Sequence, residues 1–433
     1  MARGRPAEIG FAKLQAQPAA AAGVDGILLA AGKGTRMAPL TPDLAKPLLE
    51  VAGRSLLHRM LDGLAAAGVT RAVVVTHHNA AQVEAACRAW KGGMKVVTVA
   101  QGTPKGTGHA VAAGAAKVDG DALVAMGDCL VDPATLAALV KSRGFALAAS
   151  KVADPTRYGA LKVEGRKLKA LAEKSPKPPS DLVNTGLYRV PAEALEQAAA
   201  LKPSPRGELE FTDVVNAWAK KGNASWIPAK GWLDVGAPWD LLAAQEAALP
   251  HDIAFRLDGA TVGGPGTIEE GVQVRGRLYV ETGATVKSGT YVEGDVWVGP
   301  GARVGPNAYL RGPLHVGARC HVGAAVEVKA SILMEGANAP HLNYVGDSIL
   351  GPGCNLGAGT KVANLKVTPG TVKAAGPGGK LDTGRTKFGV CLGPNVKTGI
   401  NASLNPGTLV GAGALIGAGQ VVSGWVPPAS RLL

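Results

Sequence analysis

The sequence predicts an α/β domain on a Rossmann-like, mostly parallel sheet, followed by a parallel β-helix of hexapeptide repeats. Three observations predict it. Between residues 24 and 235 short β-branched runs alternate with alanine-rich amphipathic segments, which is the rhythm of βαβ units. Beyond Gly259 an aliphatic residue returns at every sixth position. The first strand-like run leads straight into a glycine loop, as it does where a helix or turn must receive phosphate oxygens.

Taken in order, GILLA (residues 26–30), AVVVTH (72–77) and DALVAMGD (121–128) read as strands. The segments SLLHRMLDGLAAAG (55–68) and AAQVEAACRAW (80–90) read as amphipathic helices between them. Residues 238–249 read as a linker helix that Pro250 ends, because proline lacks the amide a helix interior needs.

The six-residue beat then runs through Val262, Ile268, Val274, Val280, Val286, Val292, Val298, Val304, Leu310, Val316, Val322, Val328 and Met334. Three short sides of six residues close one triangular coil of about 18, with each marked side chain pointing inward and Gly, Pro and Asn at the corners. The beat returns at Leu350, Leu356 and Val362, lapses over residues 366–384, and resumes through Leu404, Val410, Ile416 and Val422. The lapse, rich in Gly, Lys and Pro, reads as a protruding loop. A coil of this kind needs neighbours to cover it, and such solenoids commonly associate side by side.

At 433 residues the chain exceeds one ordinary core of about 100–200 residues. The division expected is a flexible extension at residues 1–23, a first domain at 24–236, a linker helix and connection at 237–259, and the β-helix at 260–433. No apolar stretch reaches the roughly 18 residues of a membrane span, and residues 19–22 are too short for the core of a signal peptide. Cys87, Cys129, Cys320, Cys354 and Cys391 are scattered without C-x-x-C spacing, which argues against a disulfide framework or zinc and for a reducing cytoplasm. The net charge of +13 is spread along a chain with 4% aromatic residues and no basic stripe marks nucleic acid, so anionic small molecules fit that charge equally well.

Glycines 32 and 34 let backbone amides approach a triphosphate, and Lys33, Arg36 and Lys46 neutralise its charge. From this loop onward the chain resembles the sugar-1-phosphate nucleotidylyltransferases. The resemblance rests on LLAAGKGTRMAPLTPDLAKPLLEVAGRSLL, then QGTPKGTGHAV, AMGD, YGALKVEG, AEKSP, VNTGLY, GELEFTD and GWLDVG in that order, covering nearly all of residues 24–245. It implies a Rossmann-like mixed sheet and in-line attack of a sugar 1-phosphate on the α-phosphorus of a nucleoside triphosphate. It also implies that Asp128 and Asp234 hold Mg²⁺, a hard cation suited to carboxylates and phosphate oxygens. By the same resemblance Arg36 and Lys46 are catalytic and hold the triphosphate, while the Gly32–Gly34 loop, Gln101, Gly106 and Thr107 receive the nucleotide. Gly159, Glu173, Lys174 and Asn184 fall on the sugar side. Two departures from bacterial bifunctional uridylyltransferases stand out: Asp234 replaces an asparagine typical there, and Met126 a common tyrosine. AKPLLEVAG and WLDVG look closer to the archaeal-type and thymidylyltransferase branches, so UTP and dTTP both remain open.

In the second half, NAPHLNYVGDSILGPGCNLGAGTKVAN, with YLRG and VEVK upstream and RTKF downstream, resembles the acetyltransferase site of bifunctional glucosamine-1-phosphate acetyltransferase/uridylyltransferases. This implies a left-handed β-helix, a homotrimer, and acetyl-CoA as co-substrate. In that comparison His341 is the base, Arg311, Lys329 and Lys387 bind the sugar phosphate, Tyr344 and Asn355 contact the sugar, and Asn364 lies near acetyl-CoA. A histidine suits the task because imidazole exchanges a proton near neutral pH. The leading expectation is a bifunctional cytoplasmic enzyme that acetylates an amino-sugar 1-phosphate and couples it to UTP or dTTP. The alternative is a monofunctional nucleotidylyltransferase whose β-helix only oligomerises or regulates, as in the mannose-1-phosphate guanylyltransferase type. A third class, a non-catalytic assembly subunit, conflicts with the intact phosphate loop and both aspartates.

Overall fold

The computed structural model describes residues 23–433. The extension expected at residues 1–23 lies, Gly23 apart, outside the described residues. The chain forms two compact units: the chain up to Lys33 with Leu44–Leu49 and Ser55–Asp234, and Gly34–Asp43 with Glu50–Arg54 and Val235–Leu433.

The first unit is built on a nine-stranded sheet, in the order Lys95–Ala100, Arg71–Thr76, Asp25–Ala30, Ala122–Met126, Leu182–Val190, Phe145–Lys151, Ala224–Pro228, Lys167–Glu173 and Gly159–Glu164. The first four run parallel, and their interior residues, Ile27, Leu28, Val73, Val74, Val124 and Ala125 among them, are fully buried. Apolar residues on both faces are what a sheet covered on both sides requires. The sheet is mixed, as the resemblance implied, and not mostly parallel as the βαβ rhythm alone suggested. Leu182–Val190 is antiparallel to both neighbours, and Gly159–Glu164 returns as Lys167–Glu173 through a turn at Gly165 with φ 54°. The alternation with helices stops after residue 151, and strands this close in sequence can only pair antiparallel. Parallel strands deliver their carboxyl ends to one edge, so the loops after Ala30 and Met126 emerge side by side. The Gly127 amide donates to the Leu29 carbonyl at 2.9 Å across that edge.

The second unit is a stack of parallel strands. Gln273 pairs with Tyr291 and Tyr291 with Tyr309, a step of 18 residues, as the sequence period requires. From Glu327 to Tyr344 and on to Lys361 the step is 17, because one side of each coil has five residues instead of six. The core there runs Val328, Leu333, Ala339, Val345, Leu350, Leu356 and Val362. Leu333, not Met334, is therefore the inward residue at its level, and the apolar Met334 had kept the six-residue count alive by coincidence. Serines tighten the two short corners: Ser331 Oγ donates to the Lys329 carbonyl and accepts from the Ser348 amide, and Ser348 Oγ donates to the Gly346 carbonyl. At the open end of the stack Val262 is exposed, and Ile268 and Val274 are only partly covered.

Two other expectations are corrected. Residues 366–384 are not a bare loop, since Lys373–Gly376 and Gly379–Asp382 form an antiparallel hairpin. The helix does not stop at Pro250 but runs Asp240–Leu257 through it. Proline forfeits one amide bond there, while Leu249, Ile253 and Leu257 stay buried and hold the later turns in place. Among the described residues no helix is long and apolar enough to cross a membrane.

Candidate active sites

In the first unit, Asp128 follows the strand Ala122–Met126 and accepts a 2.6 Å ion pair from Lys46 Nζ. Lys46 opens the short 3-10 turn Lys46–Leu48 and its side chain is 8% exposed, so its ammonium has little water to replace that carboxylate. Asp234 sits opposite Cys129 in a two-stranded ladder. Burial pushes the Cys129 thiol far up, and the Asp128 and Asp234 carboxylates push it further, so both acids bear on one spot. Among the described residues no group of three or more His, Cys, Asp or Glu side chains converges as a full metal set. A carboxylate pair suits a hard cation whose other ligands are phosphate oxygens.

Gly32 and Lys33 belong to this unit, whereas Gly34 and Arg36 lie in the segment Gly34–Asp43 of the other. Gly34 adopts a left-handed conformation, φ 65°, and its carbonyl accepts from the Met37 amide and Thr41 Oγ1, both at 2.8 Å. Gln101 Nε2 donates to the Gly106 carbonyl at 3.1 Å. Gly106, with φ 114°, admits no side chain, because a Cβ would lie 2.5 Å from the Leu209 carbonyl oxygen. Thr107 Oγ1 accepts from the Phe211 amide at 3.2 Å. The segment around Leu209 therefore laces onto the Gly106–Thr107 turn.

Gly159 and Glu173 pair across their hairpin, and a Cβ on Gly159 would meet Glu173 Oε2 at 2.7 Å. Lys174 takes a left-handed φ of 46° as the chain leaves that strand. Asn184 Nδ2 donates to Tyr188 Oη at 2.6 Å, across the irregularity in the strand Leu182–Val190. Sequence reasoning missed Arg206. Its guanidinium pairs with Glu210 at 2.6 Å and reaches Glu173 at 3.9 Å. Burial holds the Glu173 carboxyl above its ordinary range, and Arg206 opposes that shift. Arg206 directly precedes the GELEFTD run, and that adjacency was the available signal.

In the second unit Arg311 and Lys329 stack in register on neighbouring coils. Each is matched by a carboxylate the sequence had not singled out: Arg311 Nη1 lies 2.9 Å from Glu327, and Lys329 Nζ 2.8 Å from Asp347. Tyr344 pairs with Glu327 in the next coil, and its hydroxyl donates to Asn364 Oδ1 at 3.5 Å. His341 lies on another face, paired with Ala324, and its amide donates to Asn343 Oδ1 at 3.2 Å. The His321 imidazole on that face is held below its ordinary value by burial first, then by Arg303 and His341. Asn355 continues the column through Asn338, while Lys387 is exposed opposite Leu365. Arg311, Lys329, Tyr344 and Asn364 are thus brought together, His341 and Asn355 sit around the corner from them, and Lys387 pairs antiparallel with Leu365 beside Asn364, whose carbonyl accepts from the Phe388 amide at 2.9 Å.

Comparison with known proteins gives a family. The family described as Nucleotidyl transferase matches residues 25–250, and one described as GMPPB C-terminal domain matches 292–376. The chain is 34% identical over 400 residues to the "Bifunctional sugar-1-phosphate nucleotidylyltransferase/acetyltransferase" of Sulfurisphaera tokodaii, covering 92% of this chain and 96% of that one. It is 36% identical over 391 residues to the "Bifunctional protein GlmU" of Methanocaldococcus jannaschii, and 39% over 393 residues to that of Methanococcus maripaludis strain C7. Each of these covers 90% of this chain and 92% of the relative. With a pair of acids beside Lys46 in one unit and a cation-lined face in the other, and relatives matched along both, this chain belongs to the nucleotidyl transferase family, among its bifunctional nucleotidylyltransferase/acetyltransferase members.

Proposed function

We propose that the chain N-acetylates glucosamine 1-phosphate, or a close amino-sugar 1-phosphate, with acetyl-CoA, and couples the product to UTP or dTTP with release of pyrophosphate. The carrying observation is that one chain holds both the Lys46–Asp128–Asp234 cluster and the Arg311–Lys329–Tyr344 cluster. In the first, the sugar phosphate attacks the α-phosphorus in line and pyrophosphate leaves. The attacking phosphate is already an anion, so positioning and charge neutralisation carry the step. Lys46 and Arg36 hold the triphosphate. Gly32, Gly34, Gln101, Gly106 and Thr107 hold the nucleotide, and Gly159, Glu173, Lys174 and Asn184 hold the sugar. Asp128 and Asp234 are the residues that would hold Mg²⁺, which when bound neutralises the reacting phosphates.

In the second unit Arg311, Lys329 and Lys387 receive the sugar phosphate, and Tyr344 and Asn355 the sugar. His341 takes a proton from the amine as its nitrogen attacks the thioester carbonyl. The C–N bond forms, the C–S bond breaks, and the thiolate of CoA leaves and is protonated. Asn364 borders the CoA side. The assembly proposed is a homotrimer of left-handed β-helices in the cytoplasm, with functional boundaries at residues 24–236, 237–259 and 260–433. The match of residues 292–376 to a C-terminal domain family is the observation that favours the alternative, a nucleotidylyltransferase with a merely structural coil. Thiol release from acetyl-CoA with glucosamine 1-phosphate, and pyrophosphate release with UTP or dTTP, test both halves. Absence of the first with presence of the second gives the alternative.

A further inference from the structure

Asp347 lies inside the NAPHLNYVGDSIL run but was given no role in the second site. Its carboxylate is 6% exposed and lies beside Lys329, whose ammonium is 2.8 Å from Oδ2. The same oxygen accepts from Asn364 Nδ2 at 2.5 Å. Asn364 in turn presents Oδ1 to the Tyr344 hydroxyl at 3.5 Å. This meeting happens over Gly346, where a Cβ would lie 2.6 Å from Asn364 Nδ2 and 2.7 Å from Tyr344 Oη. The backbone fixes the hub independently of its side chain. The Asp347 amide donates to the Lys329 carbonyl at 2.8 Å, and its carbonyl accepts from the Gly389 amide at 2.9 Å. Asp347 has φ 46°, a left-handed conformation at the five-residue corner, which aspartate tolerates better than most side chains.

We infer that Asp347 is the positioning residue of the acetyl-transfer site. Its buried carboxylate aims the Lys329 ammonium, and through the Asn364 carboxamide the Tyr344 hydroxyl, at one amino-sugar phosphate. A flexible lysine holds a dianion in a defined place only if its own rotamers are restricted, and a buried charged acceptor restricts them. On the 17-residue step Lys329 pairs in register with Gly346, and Asp347 stands one place beyond it. The inference rests on the acetyl-transfer reading.

The test is thiol release with glucosamine 1-phosphate and acetyl-CoA varied separately, in wild type, Asp347→Asn, Lys329→Gln and the double variant. Asparagine keeps the volume and loses the charge, so KM for the amino-sugar phosphate should rise about 10–100-fold while KM for acetyl-CoA moves by about two-fold at most. The double variant should be no worse than Lys329→Gln alone, because both substitutions cut the same link. Additive losses, equal rises in both KM values, or wild-type behaviour of Asp347→Asn would overturn the inference. Should Asp347→Asn not fold, Asp347→Ser must give the same selective rise, and a rise for both substrates alike overturns the inference. Wild-type protein that releases no thiol with any amino-sugar phosphate is a different result: it removes the acetyl-transfer reading itself.

Discussion

Glu173 is the side chain whose environment makes the sharpest claim. Burial raises its carboxyl pKa, so it stays protonated to a higher pH than a free glutamate, and only the ionised form is a full acceptor for sugar hydroxyls. The efficiency kcat/KM for the sugar 1-phosphate should therefore fall on acidification at a higher pH than an ordinary glutamate would give. Arg206 holds that value down, so Arg206→Gln should move the acid limb to still higher pH. A limb that does not move in the pH profile removes Glu173 from the sugar site. The stability sign follows from the same shift. The protonated carboxyl is favoured in the folded state, so its contribution is full below the ordinary glutamate value and is lost as pH rises through the raised one. His341 supports a second residue-scale prediction. An amine attacking a thioester must lose a proton, and removing a positioned base costs about 10²–10⁴ in rate, so His341→Ala should depress thiol release by that order. Pyrophosphate release with pre-acetylated sugar phosphate should be unchanged. Both side chains were legible in the sequence because each sits inside an uninterrupted motif. Glu327 and Asp347 lie inside motifs too, and Arg206 just before one, but were not singled out, because what ties them to these clusters is an ion pair to a residue distant along the chain.

Elements were legible to the extent that their period was unbroken. The coil announced itself by its six-residue beat, and the beat failed where Ser331 and Ser348 shorten a side to five. An apolar Met334 one place after the inward Leu333 concealed the slip. Stability measurements distinguish the two frames. Leu333→Ala empties a fully buried core position and should cost about 2–5 kcal/mol, while Met334→Ala, outside that core, should cost less. Equal midpoints in urea would restore the six-residue count. Pro250 misled for a different reason. Local rules treat proline as a stop, but the helix Asp240–Leu257 is held by tertiary contacts on either side of it. Gln245, 1% exposed, donates to the Pro313 and Ser331 carbonyls at 3.1 and 3.0 Å. Replacement by leucine removes the donor to the Pro313 carbonyl and one of the two donors to the Ser331 carbonyl, which keeps the His315 amide, and should cost about 1–3 kcal/mol in thermal or urea unfolding. An unchanged midpoint would mean that the contact contributes nothing.

At the scale of the whole molecule, the coil leaves apolar side chains on one edge, and that edge carries the proposed acetyl-transfer base. Leu342 follows His341 at a corner and is 60% exposed, Ile400 is 57% exposed, and Val421 is 69% exposed. The Gly359 amide donates to the His341 carbonyl and the Asn401 amide to the Ala358 carbonyl, so Ile400 stacks in register with His341 two coils on. Val421 heads the column that contains Ser403, Lys361 and Tyr344, on the face that begins just past the same corner. Bare aliphatic groups aligned beside polar catalytic residues are costly in water and suit burial against another copy of the same surface. A ring of three copies would cover each edge with a neighbour's face and place acetyl-CoA between coils. Light scattering at micromolar concentration should accordingly give three times the chain mass. Ile400→Asp buries a charge in that contact and should shift the mass toward the monomer, with thiol release falling in parallel and pyrophosphate release retained. A monomeric wild type, or an Ile400→Asp monomer with full thiol release, would mean that one coil suffices for acetyl transfer and that the apolar edge serves something else.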